Sequence, residues 1–382
     1  APMHPSYEDR PGAPDHVFAA VDDAEYERHV AAWCTALEAA GAAQADVLHL
    51  HHLTPLHEAA ARVAPDVPVV AHLHGTELMM LERIADGAPP GWSHAGAWSA
   101  RLRRWAHRAQ RLLLLSATQL PRVDRVLGVG AERCLIAPNG FDPVRFAPQQ
   151  VDRAAHWHRH LVAEPHGWRP GGEEGSLAYT DEAIAPLRKG PVLLAVGRFT
   201  AVKRTGLLIR AFARARRGPA DPASLVLLGG HPGEWEGEHP WETVRAAGAR
   251  NVYLAGWHDH AALPSFMAAS DAVVLASVRE QFGLVLVEGM ACGLPAIAVD
   301  RFGPAEIVHD GQTGWLVEPD DESALTAALR EALEEPAERA RRGALGRTRA
   351  LERYSWPALA RRLAAELRSV AGAHAGSAAE PR

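Results

Sequence analysis

Two carboxylates, Glu280 and Glu288, stand at either end of the apolar stretch QFGLVLV inside residues 277–299. The run from Phe282 predicts a buried helix that Gly293 and Pro295 bring to an end. If the helix opens near Phe282, Glu288 lies roughly 9 Å along its axis at about 1.5 Å per residue. Glu280 precedes the helix, beside the backbone N–H groups of Phe282, Gly283 and Leu284, where the helix dipole favours an anion such as phosphate. Gly283 allows a ligand to come close. Glu288 has two readings, a satisfied core glutamate or one that faces a polar ligand. A second constellation supplies the opposite charge. Residues 191–212 (PVLLAVGRFTAVKRTGLLIRAF) read as a buried strand ending in Gly197 and Arg198, a loop with Lys203, then a helix. Arg198 offers a planar fork and Lys203 a point charge, the donors a departing diphosphate requires. The bland alternative is a surface salt bridge. Lys203 is one of only two lysines, with Lys189.

The elements that must position these residues alternate between strand and helix. Residues 1–14 (APMHPSYEDRPGAP) form a polar, proline-rich stretch where a doubly wound domain should open with an apolar strand and a glycine turn, so the first strand is expected to be missing. An amphipathic helix over 24–40, a strand over 45–53 and a helix over 55–63 follow. A second strand, 67–77, ends in His72, Leu73, His74 and Gly75, at the edge where open α/β sheets bind ligands. His74 is therefore a candidate. The helix at 97–109 carries Arg101, Arg103, Arg104 and Arg108, which reads as a solvated basic face or as a peripheral membrane contact. Strands at 111–117 and 133–142 complete the first half. Residues 147–190 break the rhythm and read as an interdomain insertion, long enough to cover a cleft or join an oligomer. Beyond 191, strands at 224–231 (with Gly229), 251–260 (with Trp257 and His258) and 271–278 lead to Glu280. Trp257 serves equally as packing or as a stacking platform.

Several classes fall away. At 382 residues the chain suits two domains. A net charge of −6 gives no reason to expect nucleic acid. Cys34, Cys134 and Cys292 are odd in number and scattered, which favours a reduced, cytoplasmic protein over a disulfide framework. No secretory signal opens the chain, and the longest apolar run contains Glu288, Gly293 and Pro295, so it cannot span a membrane. A metal centre fails on spacing: His49, His51, His52, His72 and His74 lack a helical i, i+4 clamp or cysteines, and His156, His158 and His160 lack further ligands. The phosphate-binding GxxxxGK[ST] loop is absent, as is a GxGxxG opening a first strand–helix pair.

The spacing of Glu280 and Glu288 resembles the E-x7-E motif of retaining glycosyltransferases of the family-4 type. Other segments resemble that family in the same order: His74 with Gly75, PNGFDPVRF at 138–146, and Gly197–Arg198 with Lys203 five residues on. The resemblance implies a GT-B fold, two Rossmann-like α/β domains facing a cleft. Residues 1–146 would be the acceptor domain, lacking its first strand and the family's Gly-Gly loop, so that the chain is either trimmed or divergent there. Residues 147–190 would be the linker or insertion, 191–353 the donor domain, 354–370 a helix crossing back, and 371–382 a disordered tail.

By the same resemblance Glu280 and the amides of Phe282, Gly283 and Leu284 hold the donor sugar and pyrophosphate. Glu288 binds the ribose hydroxyls, His74 touches the sugar near its reacting carbon, and Trp257 with His258 cradles the base. The implied activity is transfer of a hexosyl unit from a UDP- or GDP-sugar to a hydroxyl of a small molecule, glycan or lipid, with retained configuration and with neither a divalent metal nor a cofactor. Glycoside hydrolysis wants two carboxyls flanking one bond, which the two ends of this segment do not provide. A non-catalytic nucleotide-sugar-binding subunit remains the alternative, followed by an epimerase or phosphorylase of the same fold.

Overall fold

A computed structural model describes residues 4–8 and 15–379, with side chains to residue 374. The chain forms two compact units, Ala1–Pro138 with Leu359–Arg382, and Asn139–Ala358.

The first unit is built on a four-stranded parallel sheet in the order β1 (Leu48–His51), β2 (Val69–Leu73), β3 (Arg111–Leu114), β4 (Cys134–Ile136). Runs such as VVAHL and RLLL are apolar at nearly every position because helices cover both faces of a parallel sheet. The helix Asp23–Ala39 starts at Asp22, whose carboxylate accepts the Glu25 N–H at 2.8 Å. Trp98 and Trp105, from the helix Ala95–Arg108, fill the core on one face, and the Trp98 indole N–H donates to the Val21 carbonyl at 2.9 Å. On the other face Val70 and Leu113 are covered by Leu363, Leu367 and Val370 of the last helix. Among the described residues no strand precedes β1, which lies at the edge of its sheet. Residues 1–3 and 9–14 of the opening loop lie outside the described residues.

The basic face expected on Ala95–Arg108 is committed within this unit. Arg101 pairs with Asp23 and lies 3.9 Å from the Tyr26 ring centroid; Arg104 meets Glu58 at 2.6 Å; Arg103 and Arg108 donate to the carbonyls of Val126 and Pro65. No helix of the described residues is long and apolar enough to cross a membrane.

The second unit holds a six-stranded parallel sheet in the order β10-β9-β8-β5-β6-β7, with β5 Val192–Val196, β6 Ser224–Leu228, β7 Val252–Gly256, β8 Ala272–Leu275, β9 Ala296–Val299 and β10 Gly314–Val317. Strand order reverses between β5 and β8, and in such sheets ligands settle outside the carboxyl ends of the strands at that reversal.

Residues 147–190 differ from an interdomain insertion: they are an integral wall of the second unit. A short helix, Arg153–His158, continues into one wide turn, Arg159–Ala163, and the chain then runs along the open edge of β7. The Leu254 N–H donates to the Tyr179 hydroxyl at 2.9 Å, and Trp168 and Leu177 join the core. An uncovered edge strand would offer unpaired backbone groups to other chains, and this strap occupies them. The approach is close enough to demand glycine. A Cβ on Gly167 would stand 2.3 Å from the Leu254 carbonyl oxygen, and one on Gly256 2.0 Å from that of His166. Gly167→Ala is therefore expected to cost about 1–3 kcal/mol and to open residues 160–180 to limited proteolysis, read against the melting curve of the same variant.

The final helix runs Trp356–Ala379. The segment from 371, expected to be disordered, thus stays helical as far as Ala379, since AGAHAGSAA is rich in the best helix former; residues 380–382 lie outside the described residues.

Candidate active site

Of the candidate residues of the second unit, Gly197, Arg198, Gly229, Lys203 and Glu280 come together at the reversal of its sheet. A shallow recess is lined by Gly197, Arg198, Phe199 and Lys203 from beyond β5 and by Val274, Leu275 and Ala276 from the end of β8. Lys203 ends a single turn, Ala201–Lys203, which is clamped on three sides. The Ala201 N–H donates to the Glu236 carboxylate at 2.8 Å, the Val278 N–H donates to the Val202 carbonyl at 3.0 Å, and Arg204 pairs with Asp320 at 2.5 Å. Held in this way, the Lys203 ammonium lies 2.6 Å from Glu280 Oε2, with both side chains about a quarter exposed (26% and 22%). The two motifs, far apart in sequence, are joined by this pair. Gly229 belongs to the same edge, because a Cβ there would stand 2.5 Å from the Gly197 carbonyl oxygen. Arg198 is exposed beside the recess.

The helix beyond Glu280 is Leu284–Ala291, opening two residues later than expected. Gly283 is its N-cap at φ +97°, a conformation that glycine adopts without a Cβ penalty. Phe282 remains in the preceding loop, where its ring packs edge-on to Tyr354 with centroids 5.8 Å apart. The first backbone N–H groups of a helix have no partner within it, and here that end begins at Gly283 and Leu284. Glu288 lies in this helix, 3% exposed, and receives His260 Nε2 at 2.6 Å on Oε1. Burial pushes its carboxyl above the ordinary value, against the opposing His260 hydrogen bond and charge. His260 was not singled out from sequence, where it closes the expected strand 251–260, which in fact ends at Gly256; an aromatic neighbour, Phe146, at 5.1 Å completes its setting.

Trp257 is 43% exposed and stacks on His231, with centroids 4.9 Å apart. His258 is turned into the strap: its ring lies tilted against His166 with centroids 4.3 Å apart, and burial lowers its pKa to about 4. Cys292 is a buried free thiol, in keeping with a small apolar helix residue.

His74, in the first unit, follows β2 and precedes the helix Thr76–Ala85, with Gly75 as N-cap. Its Nε2 is 2.9 Å from His51 Nδ1, and its N–H donates to Glu77 Oε2 at 3.2 Å. Glu77 is fully buried and meets His52 Nδ1 at 2.6 Å; burial opposes its charge, yet the His52 partner holds the carboxyl below its ordinary value. Sequence inspection did not single out Glu77 or its role as anchor. Burial lowers the pKa of His74 to about 4 and that of His72 to about 3. Such an imidazole stays neutral in the fold, whereas the unfolded chain takes up a proton near 6.5. The unfolded state then binds more protons below 6.5, so stability falls as pH falls. For His72, 7% exposed, the loss at pH 5 is about 2 kcal/mol. Melting temperature should thus drop between pH 7 and pH 5, and less steeply in His72→Gln.

Comparison with known proteins places the chain. Residues 2–145 match the family model for Glycosyltransferase Family 4, and residues 180–349 that for Glycosyl transferases group 1. The two parallel-sheet units have the GT-B fold. Sucrose-phosphate synthase from Thermosynechococcus elongatus superposes with a TM-score of 0.69 at 22% identity, over 95% of this chain and 83% of that one. The chain belongs to the family-4 type of GT-B glycosyltransferases. Among curated relatives, the glycogen synthase of Mycobacterium tuberculosis strain H37Rv is 29% identical over 82% of this chain and 66% of its own length. A GDP-mannose-dependent alpha-(1-6)-phosphatidylinositol monomannoside mannosyltransferase of Mycolicibacterium smegmatis is 28% identical over 80% of this chain and 71% of its own. The chain spans about two thirds of the length of these relatives.

Proposed function

We propose that the protein is a retaining glycosyltransferase that moves a hexosyl unit from a nucleotide diphosphate sugar to a hydroxyl acceptor. The observation that carries this reading is the Lys203–Glu280 pair, 2.6 Å apart, with Lys203 lining the recess beside Gly197 and Arg198 and Glu280 next to Gly283 at the start of Leu284–Ala291. It sets a cation for the diphosphate next to a carboxylate for the sugar hydroxyls. The bond from the anomeric carbon to the phosphate oxygen breaks and a bond to the acceptor oxygen forms on the same face. The acceptor's proton passes to the departing phosphate oxygen, so the reaction needs no protein base. Arg198, Lys203 and the helix amides from Gly283 and Leu284 stabilise the charge gathering on that phosphate, in place of a divalent ion. Glu280 orients the sugar, Glu288 takes the ribose hydroxyls, and Trp257 offers its exposed face to the base. The GDP-mannose-dependent mannosyltransferase among the relatives supports a nucleotide-sugar donor and makes a GDP-sugar as reasonable a first donor as a UDP-sugar.

The test is a thermal-shift screen of the full chain against UDP, GDP, ADP and their sugar conjugates without added metal. A ligand at 100 times its Kd should stabilise the fold by about 2.7 kcal/mol. The selected conjugate is then incubated with hydroxyl acceptors, and the anomeric configuration of the product is read by NMR. Inversion at the anomeric carbon, or binding with no transfer to any acceptor, would overturn the reading, the latter in favour of a binding subunit.

A further inference from the structure

We propose that the first unit binds a transition-metal ion of the zinc class between β1 and β2, through His49, His51 and His72. Spacing along one strand hides this site, and parallel register reveals it. β1 and β2 pair with His51 opposite His72 and His49 opposite Val70. Side chains alternate faces along a strand, so His49, His51, His72 and His74 all project from one face, toward the carboxyl ends of two adjacent strands. One ring nitrogen from each of His49, His51 and His72 lies within 4.8 Å of the others. Tetrahedral ligation at about 2.0–2.1 Å would bring such nitrogens to roughly 3.3 Å. Small ring rotations supply the difference, and His51 is exposed and able to make them.

The state of His72 is the second, independent observation. Its ring is 7% exposed, and Nε2 lies 3.1 Å from the Ala137 carbonyl oxygen. That contact places the proton on Nε2 and leaves the Nδ1 lone pair directed into the cluster, the arrangement in which a backbone carbonyl orients a metal-bound histidine. Nδ1 itself is buried and has no hydrogen-bond partner among the described residues, and the same holds for Nε2 of His49. Two buried imidazole nitrogens without partners, one on each strand, are costly to a fold, and a shared ion would satisfy both. His51 has Nδ1 engaged with Nε2 of His74, which leaves its own Nε2 for the ion.

An all-imidazole set without carboxylate suits zinc, nickel, cobalt or copper rather than magnesium or calcium. Three protein ligands with one of them exposed leave a fourth position for water. Ligation would pin the edge strand β1 to β2. It would also fix the His51 proton on Nδ1, directed at His74. The site is made by residues of the first unit alone and does not depend on the glycosyl-transfer reading.

The experiment uses the full chain, stripped with chelator and titrated with zinc chloride by calorimetry and with cobalt(II) by visible absorption. One ion per chain is expected, with a tetrahedral cobalt spectrum and nitrogen ligands at about 2.0 Å by X-ray absorption. His51→Ala and His49→Ala should each weaken zinc binding at least tenfold with unchanged circular dichroism, and His160→Ala, in the histidine-rich strap, should leave it as it was. Absence of a stoichiometric ion would overturn the proposal. So would an affinity indifferent to His49→Ala and His51→Ala, or one that falls equally with His160→Ala.

Discussion

Lys203→Met is expected to slow glycosyl transfer about 10²- to 10³-fold at saturating donor, the loss found when one donor aimed at a developing oxyanion is removed. Its melting temperature should stay nearly that of the parent. The reason lies in how the ammonium is held. The Ala201–Lys203 turn is fixed by Glu236, Val278 and the Arg204–Asp320 pair, none of which needs Lys203's charge. On the proposed reading the ammonium would meet the departing phosphate without rearranging the turn that carries it. Its pairing with Glu280, about a quarter exposed on each side, contributes on the order of 1 kcal/mol or less to folding. Single-turnover rates and melting curves of the same preparations check both halves. Glu280→Ala should likewise abolish transfer with little loss of folding. A collapse of melting temperature in both variants would make them structural residues and remove them from the site.

Glu288→Gln should raise the donor's KM about 10- to 150-fold and change kcat far less. A hydrogen bond to a charged group is worth about 1.5–3 kcal/mol, and ribose hydroxyls bound equally in ground and transition states affect KM alone. Stability should hold or rise slightly. The glutamine fills the same space, and it removes a charge that burial opposes. Because the folded carboxyl is protonated more readily than the unfolded one, stability contributed by Glu288 is present at low pH and is lost as pH rises above 4.5 through the folded value. That slope should vanish in Glu288→Gln. Donor titrations and melts over pH 4 to 7 read the two effects separately, and a melting temperature that falls sharply at neutral pH would show that the ionised carboxylate and His260 support the fold.

What could be read from sequence was local. Buried apolar runs located the strands from β1 to β8, and the Gly197–Arg198–Lys203 and Glu280–Gly283 segments each carry their chemistry within a few residues. What stayed hidden depends on register or on distant packing. The partner of Glu288 is His260, 28 residues away beyond another strand. The strap of residues 147–190 has no sustained apolar period because it packs along a strand edge, and its chief signals, Gly167 and Gly256, acquire meaning only when the two backbones touch. Phe282 reads as the first turn of a helix, yet the left-handed Gly283 stops the helix short and sends the ring against Tyr354. The histidines of β1 and β2 look dispersed along the chain until the pairing of His51 with His72 sets them side by side.

The first unit is assembled from both ends of the sequence, with Val70 and Leu113 covered by Leu363, Leu367 and Val370. On a ribosome, translation reaches Val370 only after the whole second unit has been made. At about 5–20 residues per second the apolar strip of Val70 and Leu113 therefore waits roughly 10–50 s for its cover. Residues 139–358 can complete their own sheet during that interval. The nascent first unit is thus the part of the chain that a chaperone would find open, and truncations that remove the last helix should emerge aggregation-prone even though they leave every residue of both candidate sites in place.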